Sequence, residues 1–327
     1  MAEELPQANF SHTRFIFEGF PELYKYRRLL FLPFSLIYML TIFGNSLIVI
    51  VIKNGQNLHS PMYLLMSSLA IVNIIVPTVI VPNMLLGFLF DWNEISLEGC
   101  LTQMFLTHFF SSVESTVLLA MALDRLVAIC NPLRYVEIVN TAALVKFVAL
   151  TLIRSGLIMS ILVALARSLT FCSSNIIRHS YCDHMALVSL ACGNKDKNDS
   201  IGLAVIVVFV GIDISIIAVS YMRILSVVLH AAEAEDRWKA FHTCSTHLLV
   251  MMSFYLVGSV TFLSHNIGID IATDINTFLG ILYIIFPATV NPIIYGVRTK
   301  EIRNAILKIF KVSSNKVINI NVSAVKV

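Results

Sequence analysis

The sequence predicts an all-α membrane protein, a seven-transmembrane helix bundle with a short amphipathic helix after the seventh span. Three observations predict it. The 327 residues are 57% hydrophobic and only 13% charged, against about 25% charged in an ordinary soluble domain. Seven apolar stretches are each long enough to cross roughly 30 Å of hydrocarbon at about 1.5 Å per helical residue. None shows the alternation that a membrane barrel needs. A backbone in lipid must satisfy its own polar groups, so the stretches are helices.

Residues 1–28 form a mixed polar tail with no apolar run before a small-residue cleavage site. No cleavable signal peptide is expected, and the first apolar run should direct insertion. Asn9-Phe10-Ser11 is a glycosylation sequon, usable only if the tail is extracellular. The membrane domain, 29–297, holds the spans Leu29–Ile52, Met62–Phe90, Leu101–Ile129, Leu144–Leu165, Ile201–Leu229, Phe241–Leu263 and Ile275–Val297. Pro77 and Pro82 lie in the second span, Pro287 and Pro292 in the seventh. Each removes a helix hydrogen bond and permits a kink. Residues 298–327 complete the chain. Within them Ile302, Ile306, Ile309 and Phe310 share one face, with Lys300, Arg303, Lys308 and Lys311 elsewhere. That pattern predicts an amphipathic helix on the inner leaflet, in contact with membrane lipid.

An odd number of spans puts the termini on opposite sides. With the N-terminus outside, the inner segments carry fourteen Lys and Arg residues and the outer segments eight. The bias favours an extracellular N-terminus and a cytoplasmic C-terminus at the plasma membrane. Lys25, Arg27 and Arg28, just before the first span, oppose it. The second sequon, Asn321-Val322-Ser323, is then cytosolic and unused. Net charge is +3 with the basic residues dispersed, so nucleic acid is not an expected partner.

Under this topology Cys130 and Cys244 face the reducing cytosol. Cys100, Cys172, Cys182 and Cys192 face the oxidising side, where disulfides are expected. Four cysteines allow three pairings. His179-Ser-Tyr-Cys182-Asp183-His184 has the residue types of a metal cluster. A disulfide at Cys182 would leave no thiolate for a soft metal, so neither a metal nor a cofactor is expected.

The most informative stretch is Met121-Ala-Leu-Asp124-Arg125-Leu-Val-Ala-Ile-Cys130-Asn-Pro-Leu-Arg134-Tyr135. It puts a carboxylate and a guanidinium side by side where the third span leaves the membrane. Ionisable groups at such a depth are costly and usually functional. Each here neutralises the other, and the pair can be pulled apart. Other motifs accompany it: Gly44-Asn45, Pro61-Met62-Tyr63-Leu64, Ser220-Tyr221, Lys239-Ala-Phe-His-Thr-Cys244-Ser-Thr-His247 and Asn291-Pro292-Ile-Ile-Tyr295-Gly. In this order the set resembles the odorant receptors among the rhodopsin-like G-protein-coupled receptors, from about residue 40 to residue 305. The His179–Met185 run and the long loop around it resemble the fish-like class I branch.

The resemblance implies an odorant as ligand and a stimulatory heterotrimeric G protein that raises cyclic AMP. It implies the bonds Cys100–Cys182 and Cys172–Cys192, and a rearrangement of Arg125, Tyr221 and Tyr295 as span six moves outward. His247, Asn291 and Pro292 belong to the same switch motifs. Two departures stand out. Asn73 replaces an Asp that holds sodium in the wider family, leaving Glu114 as the nearby acid. Glu114 is expected to be protonated and hydrogen-bonded to Asn73, the alternative being an ionised group holding a cation. Asn266 stands where class I receptors often have Arg, which weakens the case for an acid ligand and favours a neutral polar one.

Polar residues in lipid face the bundle interior. On the third span His108, Ser111, Ser112 and Ser115 share a broad face. The first three are read as pocket residues and Ser115 as helix–helix packing. Tyr255, Ser259 and Phe262 of the sixth span are candidate pocket residues. Val205, Ile206 and Phe209 of the fifth would form an apolar wall, with His184 and Asn266 at the lid, a mostly apolar cavity with few polar groups. Arg154, deep in the fourth span, receives no role.

The competing readings are a receptor for a non-olfactory metabolite and a small-solute transporter or channel. A transporter would usually show repeated halves or matching broken helices, and no such repeat is visible. No nucleophile and base stand at a helical spacing that would specify an enzyme. Glu114→Gln is expected to fold and reach the cell surface but to change agonist-free signalling. Loss of surface delivery in a labelling assay would make Glu114 structural instead.

Overall fold

The computed structural model describes residues 11–230, 234–266 and 272–309. Its frame is seven long helices: α1 (Arg27–Asn54), α2 (Pro61–Phe90), α3 (Leu97–Cys130), α4 (Thr141–Arg167), α5 (Asp196–Leu229), α6 (Ala234–Asn266) and α7 (Thr273–Arg298). A shorter helix, α8, follows at 300–309. Each predicted span falls inside one of the seven. The helix of α2 continues through Pro77 and Pro82, and that of α7 through Pro287 and Pro292. Asn9, Phe310, Lys311 and the second sequon lie outside the described residues, as do the side chains of Ser259, Phe262 and Asn266.

Among the described residues, α1, α2, α4, α5 and α7 are long and apolar enough to cross a membrane by composition alone. α6 shows a shorter apolar stretch, Cys244–Gly258, among the described residues, and α3 falls short for a reason its position explains. α3 packs against α2, α4, α5 and α6, and every residue from Ser111 to Ala122 is buried. A helix walled in by other helices meets little lipid, so it can carry hydroxyls and charges that a lipid-facing helix cannot. α1 and α4 are the opposite case. Leu32, Leu36, Met39 and Phe43 on α1, and Val145, Leu150 and Leu157 on α4, are exposed, as a hydrocarbon-facing surface requires.

At one end of the bundle the chain builds a small sheet that the apolar pattern did not predict. β1 (Arg14–Phe17) pairs antiparallel with β2 (Glu94–Ser96) and parallel with β3 (Ile176–Ile177). The order β2-β1-β3 puts the tail segment in the middle. Alternation turns Phe15 and Phe17 inward, onto Leu101, Met104, Phe171, Ile177 and Leu187. Phe15 meets Phe171 edge to face, 5.3 Å between ring centroids. Cys100 at the start of α3 is bonded to Cys182, and Cys172 to Cys192, which ties the 168–195 loop over the bundle.

The same tail segment is fastened to α7. Asp274 accepts from the backbone N–H groups of Glu22 and Leu23 at 3.3 and 3.2 Å. The Thr277 hydroxyl donates to the carbonyl of Gly19, which turns the chain with a left-handed φ of 61°. Arg27 forms an ion pair with Asp91. Residues 14–27 are thus a strap across the mouth of the bundle, where the sequence reading had only a polar tail.

Phe15→Ala should destabilise this end by about 3–5 kcal/mol, the usual cost of emptying an aromatic core site. Leu36→Ala, on the exposed face of α1, should leave the thermal unfolding midpoint in detergent almost unchanged. Equal midpoints for the two variants would show that the sheet carries no stability.

Candidate functional site

Below the strap, the half of α3 nearest the sheet presents its polar face to the interior. Thr107, Ser111 and Ser112 are buried and His108 is half-buried. Ser111 lies within hydrogen-bond reach of Tyr283 on α7, a residue the sequence reading did not select. The Ser112 hydroxyl donates to the Phe109 carbonyl at 2.7 Å, so it is engaged within its own helix. His184 begins a short helix, His184–Val188, capped by the carboxylate of Asp183 on the N–H groups of Met185 and Ala186. Burial, and then the neighbouring His108, push the His184 imidazole down to about 4. The ring is therefore neutral at neutral pH. Nε2 of His108, Nε2 of His184 and Oγ1 of Thr107 are buried with no protein partner among the described residues. Of the proposed apolar wall, Ile206 is half-buried and Val205 packs into the sheet-end core.

Phe209, read as part of the apolar wall, packs on a charged group. Its ring lies under the guanidinium of Arg154, 4.4 Å from centroid to Cζ. It belongs to a π-helical turn, Val207–Ile212, that interrupts α5. Such turns shift the register of the residues beyond them, and here the next residue is Asp213, which is fully buried. Asp213 Oδ2 accepts from Arg154 Nη2 at 3.3 Å and from the Ser115 hydroxyl at 2.8 Å. Arg154 Nη2 also donates to Thr116 Oγ1 at 3.0 Å. Ser115 Oγ lies 2.7 Å from the Phe209 carbonyl and 2.8 Å from the Tyr255 hydroxyl.

A serine hydroxyl has one proton. The Phe209 carbonyl and the Asp213 carboxylate compete for it, so Tyr255 donates to Ser115. One hydroxyl thus ties α3 to α5 and to α6 at the level of an intramembrane ion pair. Ser115, read from sequence as packing, is the hub. Asp213 was not singled out and Arg154 was given no role. The signal was available: two opposite charges, each in the middle of an otherwise apolar span.

Toward the other end, Asn45 on α1 donates to the carbonyls of Thr41 and Ala288, both at 2.8 Å. Asn73 donates to Asn45 at 3.4 Å. The expected Glu114–Asn73 bond is not made: Glu114 Oε1 and Asn73 Oδ1 are both without a protein partner among the described residues. Asn291 accepts from Ser253 at 3.3 Å. Gly44 lets α1 and α7 approach closely, since a Cβ there would come within 3.1 Å of the Pro292 ring.

At that end Arg125 Nε lies 3.8 Å from Asp124 Oδ2. Asp124 makes its short hydrogen bond, 2.7 Å, with the Tyr135 hydroxyl. The Asp124–Arg125 pair is therefore looser than its adjacency in sequence suggests. Tyr295 points its hydroxyl at the Met121 sulfur, 3.9 Å away, with the His247 ring 6.2 Å from its own. The Tyr221 hydroxyl is buried without a partner among the described residues.

A family model described as olfactory receptor matches residues 34–313 of the chain. Olfactory receptor 51E2 of Homo sapiens is 37% identical over 312 residues, covering 95% of this chain and 98% of that protein. Olfactory receptor 52A5 of Homo sapiens is 41% identical over 302 residues, covering 92% and 96%. Olfactory receptor 52K2 of Homo sapiens is 39% identical over 298 residues, covering 91% and 95%.

Asp213→Asn leaves Arg154 without its counter-charge and should cost about 3–5 kcal/mol of stability. Replacing both residues, Asp213→Leu with Arg154→Met, should recover much of that loss, because neither charge then remains buried. Thermal unfolding of the three proteins in detergent checks this. A double variant no more stable than Asp213→Asn would deny that the two charges balance one another.

Proposed function

The chain belongs to the olfactory receptor family of G-protein-coupled receptors, and from that premise we propose that it detects a small, neutral, hydrogen-bonding odorant in the space between α3, α7 and the 168–195 loop. Odorant sensing through a G protein and cyclic AMP is general to the family, and the chain is a multi-pass plasma-membrane receptor rather than an enzyme. The finer reading puts the sheet end and the N-terminus outside and the Arg125 end, with α8 and the C-terminus, in the cytosol against a stimulatory G protein and the inner leaflet. The Lys and Arg bias supports that orientation.

One observation carries the ligand class. Two buried imidazole nitrogens, Nε2 of His108 and Nε2 of His184, have no protein partner among the described residues, and buried polar atoms need one. An alcohol, aldehyde or ketone oxygen meets that need. An acid fits less well. Arg154, the guanidinium at the depth of Ser115, is already paired with Asp213, Asp183 lies near both imidazoles, and position 266 is Asn. Ser111 and Tyr283 complete the polar side. Ser259, Phe262 and Asn266 remain candidates from sequence. Tyr255, bonded to Ser115 below, lets occupancy of the pocket bias α6 against α3, and the ligand supplies only its differential affinity for the two arrangements.

The test is a cyclic-AMP screen of alcohols, aldehydes, acids and amines on cells bearing the receptor. His184→Phe should raise the half-maximal concentration for the best neutral agonist about tenfold, the value of one lost hydrogen bond. Asn266→Arg should shift preference toward acids. If acids are the best agonists of the unaltered receptor, the ligand class proposed here is wrong. If no agonist of any class promotes nucleotide exchange on the G protein, the coupling is wrong too.

A further inference from the structure

We infer that Arg298 is a positioning residue of the switch, a latch that holds the Arg125 end of α6 against the α7–α8 junction and must let go before α6 swings out. The inference rests on the receptor reading above. Arg298 is the last residue of α7. Its Nη2 donates to Ser245 Oγ at 2.7 Å and its Nε to Thr246 Oγ1 at 3.1 Å, both on α6.

The two hydroxyls are built as acceptors. Ser245 donates its proton to the carbonyl of His242 at 2.9 Å, and Thr246 donates to the same carbonyl at 3.0 Å. With their protons spent inside α6, both oxygens turn lone pairs toward the planar guanidinium, whose fork matches two adjacent acceptors. The arginine's own side of the contact is anchored. In α8, Ile302 is fully buried, Glu301 is hydrogen-bonded to Tyr63 of α2, and the Arg303 N–H closes onto the Thr299 carbonyl. The latch therefore joins a fixed corner of the bundle to the helix whose displacement opens the G-protein cleft.

Its partners also suit a latch. Hydroxyls are neutral, so these bonds are stronger than ordinary ones but lack the attraction of a full ion pair. A carboxylate at Ser245 would convert the contact into such a pair and hold α6 in place. The hydroxyls favour the resting arrangement and still yield to a bound agonist.

The experiment measures agonist-free and agonist-evoked cyclic AMP, scaled to surface receptor, for the unaltered protein, Arg298→Gln, Ser245→Asp and the Ser245→Asp/Arg298→Gln double variant. Arg298→Gln should raise agonist-free signalling by about tenfold or more, the lower end of the range for losing charge-assisted hydrogen bonds. Ser245→Asp should lower both signals, and adding Arg298→Gln should lift that suppression. A general packing defect at Ser245 would not be lifted. Should Arg298→Gln fail to reach the surface, Ser245→Ala with Thr246→Val removes the acceptors and should give the same rise. A second readout needs no G protein: the distance between spin labels at Trp238 and Lys308 in detergent should lengthen in Arg298→Gln. Unchanged agonist-free signalling in both latch variants, a suppression that persists in the double variant, or an unchanged label distance overturns the latch. A lengthened distance in a receptor that couples to no G protein overturns only the receptor reading.

Discussion

The enclosure of α3 is the constraint on which the rest of the structure depends. From Ser111 to Ala122 it is buried without interruption, and within that stretch lie Ser111, Ser112, Glu114, Ser115 and Thr116. None of these would be stable facing hydrocarbon, where a polar group finds no substitute for water. Packed helices on several sides supply the partners instead. Thr116 meets Arg154 of α4, Ser115 meets Asp213 of α5 and Tyr255 of α6, and Ser111 meets Tyr283 of α7. Much of the interior polarity thus lies on a helix that its neighbours enclose. The lipid-facing helices α1 and α4 can then be almost wholly apolar, with Arg154 the exception that proves useful because it turns back toward the interior.

The two ends of the bundle are closed by different physics. At the sheet end the closure is covalent and apolar: two disulfides, a strap through the middle of a three-stranded sheet, and a core of Phe15, Phe17, Phe171 and Ile177. At the Arg125 end the closure is made of hydrogen bonds to hydroxyls and a loose Asp124–Arg125 contact at 3.8 Å. Contacts of that kind are individually worth roughly 1–3 kcal/mol, and they can be exchanged without exposing a core. A molecule that must bind at one end and open at the other is expected to differ in this way.

Most of the fold was legible in the sequence because bilayer thickness imposes a length on every span and apolar runs of that length are hard to mistake. The positions of the spans and the helical frame followed directly. What stayed hidden depended on contacts between distant residues. The sheet joins residues 14–17, 94–96 and 176–177, and the four residues of β1 give too short an alternation to be read against a polar tail. The π-helical turn in α5 leaves no mark in residue type, yet it precedes the burial of Asp213. The contact of the Phe209 ring with the Arg154 guanidinium was hidden for the same reason. The Glu114–Asn73 bond was inferred from adjacency of spans. Asn73 is instead engaged by Asn45, whose own amide is fixed by α7.

These differences locate where the molecule can move. The Arg154–Asp213 pair sits in the middle of the membrane, and separating it would leave two unpaired charges in a medium that stabilises neither. That pair is therefore a fixed point on any route between the two ends. Ser115 is bonded to it on one side and to Tyr255 on the other. The Ser115–Tyr255 contact joins two neutral hydroxyls, so it is the cheaper of the two to break. On the receptor reading proposed above, motion of α6 relative to α3 pivots about the α3–α4–α5 unit, and its amplitude grows with distance from Ser115. The largest displacement falls at the Arg125 end of α6, where the structure places its most easily exchanged contacts. On the same reading, a ligand lodged above Ser115 needs to alter only the Tyr255 contact to favour that displacement, since the strong interactions on the α5 side stay intact.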